Sequence, residues 1–305
     1  MYEEFSSAFE LHPESNGQFN TPEDFQRPKV RRVNRATRTL KTIKSPGAFS
    51  LALKMENCWK GAVCSSFWCP RCRHRAAKGL EGRLRDYVLR EFGEDQSEAQ
   101  KRLVFVTPLF GLASVHDARR VKGILREARK DFKALKRAFP ELWYQGAFEL
   151  ELIDFRALMM EEGANQVKRE TIGNMLGWKT EEARGKLLNC FTPLVLIHAH
   201  ILMDLRGVDR EKVRDWLRGK YSKSPHQIHL KGIRADQTLE ALCLRVGSYP
   251  FKDRVQFNMS FESQGYRDGG YFSDKELAGL VMLQDKICSN GFKNLLVGSK
   301  SRGAM

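Results

Sequence analysis

Two histidines separated by one residue are the strongest candidates for chemistry in this sequence. His198 and His200 lie in the apolar run 194–205, LVLIHAHILMDL, whose composition predicts a buried strand. Side chains alternate between the two faces of a strand, so both imidazoles point to the same side. Two such rings among apolar neighbours are costly to bury without a metal ion or a hydrogen-bond network. The pair therefore predicts a metal site, since imidazole nitrogen is a common metal ligand.

A carboxylate is expected to complete this site. Residues 148–155, FELELIDF, alternate, so that Glu149 and Glu151 share one face of a predicted strand that would neighbour the histidine strand. We expect Glu151 to contribute more than Glu149, although spacing alone leaves the choice open. Two imidazoles with a carboxylate suit Mg²⁺ or Mn²⁺ when phosphate oxygens complete the coordination. The alternative is that both carboxylates simply face solvent.

Four of the seven cysteines form a second cluster, in the run CWKGAVCSSFWCPRC. Its members are Cys58, Cys64, Cys69 and Cys72. Four thiolates this close in a reducing compartment are typical of a structural Zn²⁺ site. The spacing of the first pair is irregular and His74 could replace one thiolate; redox use of the C-x-x-C is the weaker alternative. Core thiols are predicted at Cys190, Cys243 and Cys288.

The charge balance points to a polyanionic partner. Fifty-two Lys and Arg against 37 Asp and Glu give 52 − 37 = +15 and a pI near 9.6, which is typical of nucleic-acid-binding proteins. Residues 1–26 are acidic and residues 27–44 are basic, which predicts a flexible arm. The arginines expected to contact DNA are Arg31, Arg32, Arg35, Arg71, Arg73 and Arg75.

The elements that must position these residues predict an α+β fold. We expect a flexible arm over 1–45, a zinc-binding module over 46–78, a main domain over 79–295 with a helical insertion at 156–189, and a basic tail over 296–305. Short strands at 103–107, ended by Pro108, and at 148–155 and 194–205 alternate with amphipathic helices. No apolar run approaches 18 residues, and the opening segment has no secretory pattern, so we expect a cytoplasmic protein.

The order of these motifs resembles that of the rolling-circle replication initiators of bacterial plasmids, in the HUH endonuclease superfamily. The similar features are the C-P-x-C cluster, LVFVT at 103–107, the carboxylate strand, IHAHILMDL at 197–205 and Tyr249-Pro-Phe-Lys252. They span roughly residues 55–295. By itself, a tyrosine near a lysine is more often a packing residue than a catalytic one.

This resemblance implies a fold, a reaction and partners. The fold would be a central antiparallel RRM-like sheet with helices packed on it and the tyrosine helix laid across the metal site. Tyr249 would cleave one DNA strand through a 5′-phosphotyrosine, with a divalent metal orienting the phosphate and Lys252 assisting. The substrate would be single-stranded or hairpin DNA at a replication origin, with a host helicase and polymerase as partners and a dimer possible.

The sequence departs from the family pattern at several positions. Ala199 separates the histidines, the 156–189 insertion separates the two metal-binding strands, and Pro250 should disturb a helix at Tyr249. Arg245, one turn before the tyrosine, cannot be the base that terminates replication in related proteins. We expect Asp253 to assist termination, or the tyrosine of a second protomer to do so.

Two other readings of the sequence stay open. A relaxase or a single-strand transposase would share the fold, although transposases often carry paired tyrosines and only Tyr249 lies within 246–253. A zinc-containing DNA-binding regulator without cleavage activity would share the charge and the cysteines. Formation of a covalent protein–DNA adduct distinguishes the enzymes from the regulator.

Overall fold

The computed structural model describes residues 37–38, 40–42, 46–59, 64–153, 165–177, 193–251, 256–258, 269–271, 274–289 and 291–299. The strands are β1 (Leu103–Ser114), β2 (Trp143–Ile153), β3 (Leu194–Asp204), β4 (Ile228–Gly232), β5 (Gln256–Asn258), β6 (Gly269–Tyr271) and β7 (Leu296–Gly298). The helices are α1 (Pro46–Glu56), α2 (Pro70–Phe92), α3 (Gln96–Arg102), α4 (Ala118–Ala138), α5 (Asn165–Leu176), α6 (Arg210–Lys220), α7 (Leu239–Ser248) and α8 (Asp274–Ile287). Shorter 3₁₀ turns span Asn57–Trp59, Tyr249–Phe251 and Phe292–Leu295.

A five-stranded antiparallel sheet in the order β4-β1-β3-β2-β7 forms the centre of the protein. Its first four strands follow the chain order β1-α4-β2-β3-α6-β4, with α5 added between β2 and β3. This is the split βαβ topology of ferredoxin-like proteins, in which each helix connects two parallel strands and another strand lies between them. The predicted α+β class with a central antiparallel sheet is therefore confirmed.

One face of the sheet, here called the core face, packs against α4. Helix α4 is amphipathic and begins at Asp117, whose side chain accepts a hydrogen bond from the Arg120 backbone N–H. Its apolar residues recur every three or four positions, and the buried ones are Val121, Leu125, Ala128, Phe132 and Leu135. On the sheet, Phe148 meets Phe110 edge to face at 5.4 Å, and Phe110 in turn meets Phe132 at 6.2 Å. Aromatic packing of this kind fixes α4 on the sheet.

The opposite face, here called the site face because it carries His198 and His200, is crossed by α2 and α7. These two helices approach closely at Gly247, where an added Cβ would lie 2.8 Å from the backbone of Glu81. Only glycine permits this contact. The position matters for the site because Gly247 precedes Tyr249 by two residues.

A buried ion network anchors α2 to the end of β3. Asp204 is fully buried and accepts hydrogen bonds from the Tyr87 hydroxyl at 2.7 Å and from the Arg102 guanidinium at 2.6 and 3.1 Å. These hydrogen bonds raise the pKa of Arg102, and burial followed by the bond to Asp204 raises that of Tyr87. The Tyr87 ring also stacks on Trp143, the cross-strand partner of Asp204. Because each partner satisfies the carboxylate, the charge is tolerated in the interior.

The prediction that Pro108 ends the first strand is wrong. Strand β1 continues to Ser114, and Pro108 pairs with Ile228, the first residue of β4. Proline removes a backbone donor, so in sheets it is confined to edges and bulges. Here the register between β1 and β3 shifts between Leu109 and Gly111, and β4 begins only at the residue opposite the proline. The missing N–H therefore falls where regular pairing is interrupted.

Several helix boundaries also differ from the sequence predictions. Helix α2 begins at Pro70, inside the cysteine cluster, and continues through residue 78 without a break. Its Leu89 follows the helical spacing of the apolar residues Leu80 and Leu84 but is 55% exposed. Helix α1 was not predicted. Of the predicted insertion at 156–189, the described part is α5 and Gly177. Within the described ranges, no helix is long and apolar enough to cross a membrane.

The close approach of α2 and α7 gives a stability prediction. We expect Gly247→Ala to lower the free energy of unfolding by roughly 1–3 kcal/mol, because the new methyl group must displace the Glu81 backbone. Gly82→Ala is the matched control: an added Cβ at this other helical glycine meets nothing within 4 Å, and alanine should stabilise the helix by about 0.5–1 kcal/mol. Urea denaturation of both variants measures the difference. Equal stabilities would contradict the contact.

Candidate metal and tyrosine site

The register between β2 and β3 brings the predicted metal ligands together. Glu149 is the direct cross-strand partner of His198, and Ala147 is the partner of His200. Directly opposite residues project to the same face of an antiparallel pair, with Cβ atoms about 5 Å apart. The insertion between the two strands therefore does not separate the carboxylate from the histidines in space.

Three side chains converge within ligand distance of one another. The Glu149 Oε2 atom lies 2.9 Å from Nε2 of His200 and 3.5 Å from Nε2 of His198, and all three groups are buried. Adjacent ligands of an octahedral ion with metal–oxygen distances near 2.1 Å are roughly 3 Å apart. The spacing and the mixed nitrogen and oxygen donors thus fit a divalent cation, and phosphate oxygens or water could occupy the other positions.

The geometry favours Glu149 over Glu151 as the third ligand. The Glu151 carboxylate lies 3.5 Å from His198 Nε2, but the group of mutually close ligand atoms consists of Glu149, His198 and His200. This geometry differs from the expectation that Glu151 contributes more than Glu149. Strand alternation gives both carboxylates the same face and does not fix which of them is opposite His198. Register decides between them.

Tyr249 lies against this cluster, as the resemblance implied. Its ring centroid is 4.2 Å from that of His200, although the two residues are far apart in the sequence. Pro250 ends α7 at Ser248, and Tyr249 begins the 3₁₀ turn that follows, because proline cannot donate the next helical hydrogen bond. Helix α7 therefore does not include Tyr249, in agreement with the expectation that Pro250 disturbs a helix at this position. Lys252 and Asp253 lie outside the described residues.

The four predicted cysteines form a compact buried group. The Sγ atoms of Cys58 and Cys72 are 3.6 Å apart, those of Cys64 and Cys72 are 3.6 Å apart, and those of Cys58 and Cys69 are 3.3 Å apart. Tetrahedral zinc with Zn–S bonds near 2.3 Å requires thiolates roughly 3.8 Å apart, so this group fits such an ion. His74 is exposed and outside the group, which favours four-thiolate coordination.

The thiols of this group depend on a cation to ionise together. Hydrogen bonds with Cys69 and Cys72, reinforced by burial, raise the pKa of Cys64, while hydrogen bonds from Cys64 and Cys69 lower that of Cys72. One thiolate is thereby favoured at the expense of its neighbours. A bound Zn²⁺ would remove this competition, because it stabilises all four thiolates.

An aromatic cluster connects the cysteines to the tyrosine turn. Phe67, between Cys64 and Cys69 in the chain, lies 6.2 Å from Phe251 and 6.1 Å from Phe292. Phe251 belongs to the same 3₁₀ turn as Tyr249. The neighbouring Trp68 donates its indole N–H to Gln284 of α8. The segment that contains the cysteines therefore supports the position of Tyr249 through aromatic packing.

The remaining predicted residues have mixed outcomes. Arg73 is partly buried and Arg75 is exposed, both on α2, which also contains Arg71. Arg31, Arg32, Arg35 and Cys190 lie outside the described residues. Cys243 and Cys288 are buried thiols, as predicted, and burial raises the pKa of each to about 12.

Sequence reasoning missed the aromatic residue beside the candidate metal ligands. Phe105 lies in the LVFVT strand and stacks on His200 with ring centroids 5.7 Å apart and an interplanar angle of 15°. Its alternation with the buried residues Val104 and Val106 places it on the site face. The alternation can be read from the sequence. The sequence does not show that this strand lies beside the strand of His200.

Comparison of the chain with protein-family models, with curated proteins and with solved structures gave no match. The functional argument therefore depends on the site itself: two buried histidines and a glutamate that fit a divalent ion, with a tyrosine ring against one of the histidines.

We expect the purified protein to contain about one zinc ion per chain, held by the cysteine group and resistant to a mild chelator. Cys72→Ser should lose this zinc and unfold at a lower temperature, whereas Cys288→Ser, which changes a buried thiol outside the group, should keep it. Elemental analysis of the wild type and of both variants measures the number of zinc ions per chain. Zinc-free wild-type protein would overturn the assignment.

The convergence of Glu149 with the two histidines predicts an order of Mn²⁺ affinities. Glu149→Gln should weaken Mn²⁺ binding more than Glu151→Gln, because only Glu149 lies close to both histidines; loss of a direct ligand should cost at least tenfold, as loss of an outer-shell partner already does. Titration calorimetry with Mn²⁺ compares the two variants. The reverse order would return Glu151 to the position of third ligand.

Proposed function

We propose that this protein is an HUH-type endonuclease that initiates rolling-circle replication by nicking and rejoining one DNA strand. The observation that carries the proposal is the position of Tyr249, whose ring lies 4.2 Å from the ring of His200 in the candidate metal site. A nucleophile beside a divalent-metal site is an arrangement suited to phosphodiester transesterification, because the metal can polarise the phosphate that the nucleophile attacks. The basic composition, with a net charge of +15, suits a DNA substrate.

The proposed reaction exchanges one phosphodiester for another. The Tyr249 hydroxyl loses its proton and its oxygen bonds to the scissile phosphorus, while the 3′-oxygen of the preceding nucleotide leaves and takes up a proton. The products are a 5′-phosphotyrosine and a free 3′-hydroxyl, and the reverse reaction joins a strand. A bound Mg²⁺ or Mn²⁺ would withdraw charge from the phosphate oxygens.

The protein's own residues would orient this reaction. Glu149, His198 and His200 project from two paired strands, so their positions vary little. Tyr249 is held at a 3₁₀ turn whose Pro250 and Phe251 are buried. A nucleophile attached to a packed turn and ligands attached to a sheet keep a fixed relative geometry, which favours in-line attack.

Initiation of replication, rather than conjugative transfer or transposition, is favoured by the resemblance and by the single tyrosine. Helix α7 contains no tyrosine, and Tyr249 directly follows it, which differs from the paired tyrosines of many single-strand transposases. The proposed partners are single-stranded or hairpin DNA at an origin and a host helicase and polymerase. A binding regulator without cleavage remains the outcome if no covalent adduct forms.

The nucleophile is tested by one substitution. Tyr249→Phe should bind a single-stranded oligonucleotide as the wild type does but form no covalent adduct with Mn²⁺ present, because only the hydroxyl is removed. Tyr221→Phe is the control, since its hydroxyl donates to Asp131 and its ring packs on Phe110 of the core face. Denaturing gel electrophoresis detects the adduct. Wild-type adduct yield from Tyr249→Phe would exclude this tyrosine as the nucleophile.

A further inference from the structure

We infer that Phe105, Arg245 and Lys231 form a binding site for one nucleotide of a DNA single strand, beside the metal ligands. The inference rests on the proposed function, because it takes single-stranded DNA as the substrate. It assigns a role to three residues that belong neither to the metal site nor to the nucleophile. Arg245 and Lys231 both neighbour Phe105, which in turn stacks on His200.

Phe105 is an aromatic side chain on an accessible part of the site face. It is partly exposed, whereas its chain neighbours Val104 and Val106, on the core face, are buried. Its ring lies nearly parallel to the His200 ring, at 5.7 Å. A base that stacks beside this ring would therefore belong to a nucleotide adjacent to the phosphate bound by the metal ligands.

Two cations flank Phe105 from different elements. Arg245 lies one helical turn before Tyr249, and its guanidinium carbon is 5.9 Å from the centroid of the Phe105 ring. Lys231 is the cross-strand partner of Phe105 on β4, so its side chain projects to the same face. Both residues are exposed. An arginine on α7 thus contacts the Phe105 ring, and a lysine on the edge strand of the sheet is paired opposite it.

These cations have no carboxylate partner within the part of the chain that the structure describes. Exposed basic residues elsewhere form ion pairs, such as Lys130 with Glu127 and Arg234 with Asp236. Arg245 and Lys231 form none there, although Glu149 and Glu151 lie nearby on the same face. Cations beside an aromatic ring complement the two chemical parts of a nucleotide, the phosphate and the base.

The position also explains why arginine suits residue 245. A guanidinium binds two phosphate oxygens with a fixed geometry and stacks on aromatic rings, so the contact with Phe105 holds it in place before DNA arrives. Its location on α7 connects nucleotide binding to the position of Tyr249. The class of ligand is therefore a single-stranded deoxynucleotide that contacts one ring and two cations.

Binding of a 5′-fluorescein-labelled 20-nucleotide single strand, measured by fluorescence anisotropy without added Mg²⁺ or Mn²⁺, tests the site. Phe105→Leu keeps the apolar volume but loses the ring, and should weaken binding roughly tenfold, while Phe105→Tyr should bind as the wild type. Arg245→Gln and Lys231→Gln should each reduce the slope of log affinity against log salt by about 0.7, the value for one phosphate contact on a single strand. Lys122→Gln, an exposed cation on α4, should leave this slope unchanged.

The outcomes separate this inference from the proposed function. Three results would each overturn the nucleotide site, even if Tyr249 forms an adduct. The first is equal affinity of Phe105→Leu and the wild type, and the second is absence of binding by the wild type. The third is a salt slope for Arg245→Gln and Lys231→Gln that equals the slope for Lys122→Gln. The expected losses together with no adduct from any Mn²⁺-containing reaction would instead exclude cleavage and keep the nucleotide site. Circular dichroism of each variant confirms that the fold is intact.

Discussion

The pairing register of β2 and β3 is the constraint on which the candidate site depends. Glu149 opposite His198 places a carboxylate oxygen within 3.5 Å of both imidazoles. Because side chains alternate along a strand, a shift of one residue would turn both histidines toward the core face under α4. The histidine rings would then lie among phenylalanines and lose the Glu149 carboxylate. The apolar residues of β3 that now face α4 would turn away from the core. One register therefore satisfies the core and assembles the site.

Two interactions in the half of the strand pair that ends at Trp143 and Asp204 hold this register. Asp204 ends β3 opposite Trp143, and its carboxylate is bound by Arg102 and Tyr87. Nearer the site, an added Cβ at Gly146 would lie 2.7 Å from the Cα of Ile201, so β2 approaches β3 more closely than another residue allows. In another register the Asp204 carboxylate would lose its donors, and a residue with a side chain would have to occupy the position of Gly146. Both changes disfavour alternative pairings.

The tyrosine is positioned by contacts outside the sheet. Gly247 fixes α7 against Glu81 of α2, and Phe251 packs on Phe67 from the cysteine group. Since α2 begins at Pro70 within that group, the four cysteines, the helix that crosses the site face and the tyrosine turn form one packed unit. The cysteines thus contribute to the geometry of a site that contains none of them.

The sequence by itself determined the local features: the predicted strands at 148–155 and 194–205, the shared face of His198 and His200, and the four-cysteine group. These follow from periodicity and residue chemistry within a few neighbouring positions. Only the tertiary structure decided that Glu149 rather than Glu151 is closest to both histidines, that Pro108 lies inside β1, and that Phe105 lies beside His200 and Arg245. Each depends on which residues of separate strands and helices come to lie opposite one another. Pairing register and helix packing set those positions over long distances in the chain, where local periodicity carries no information.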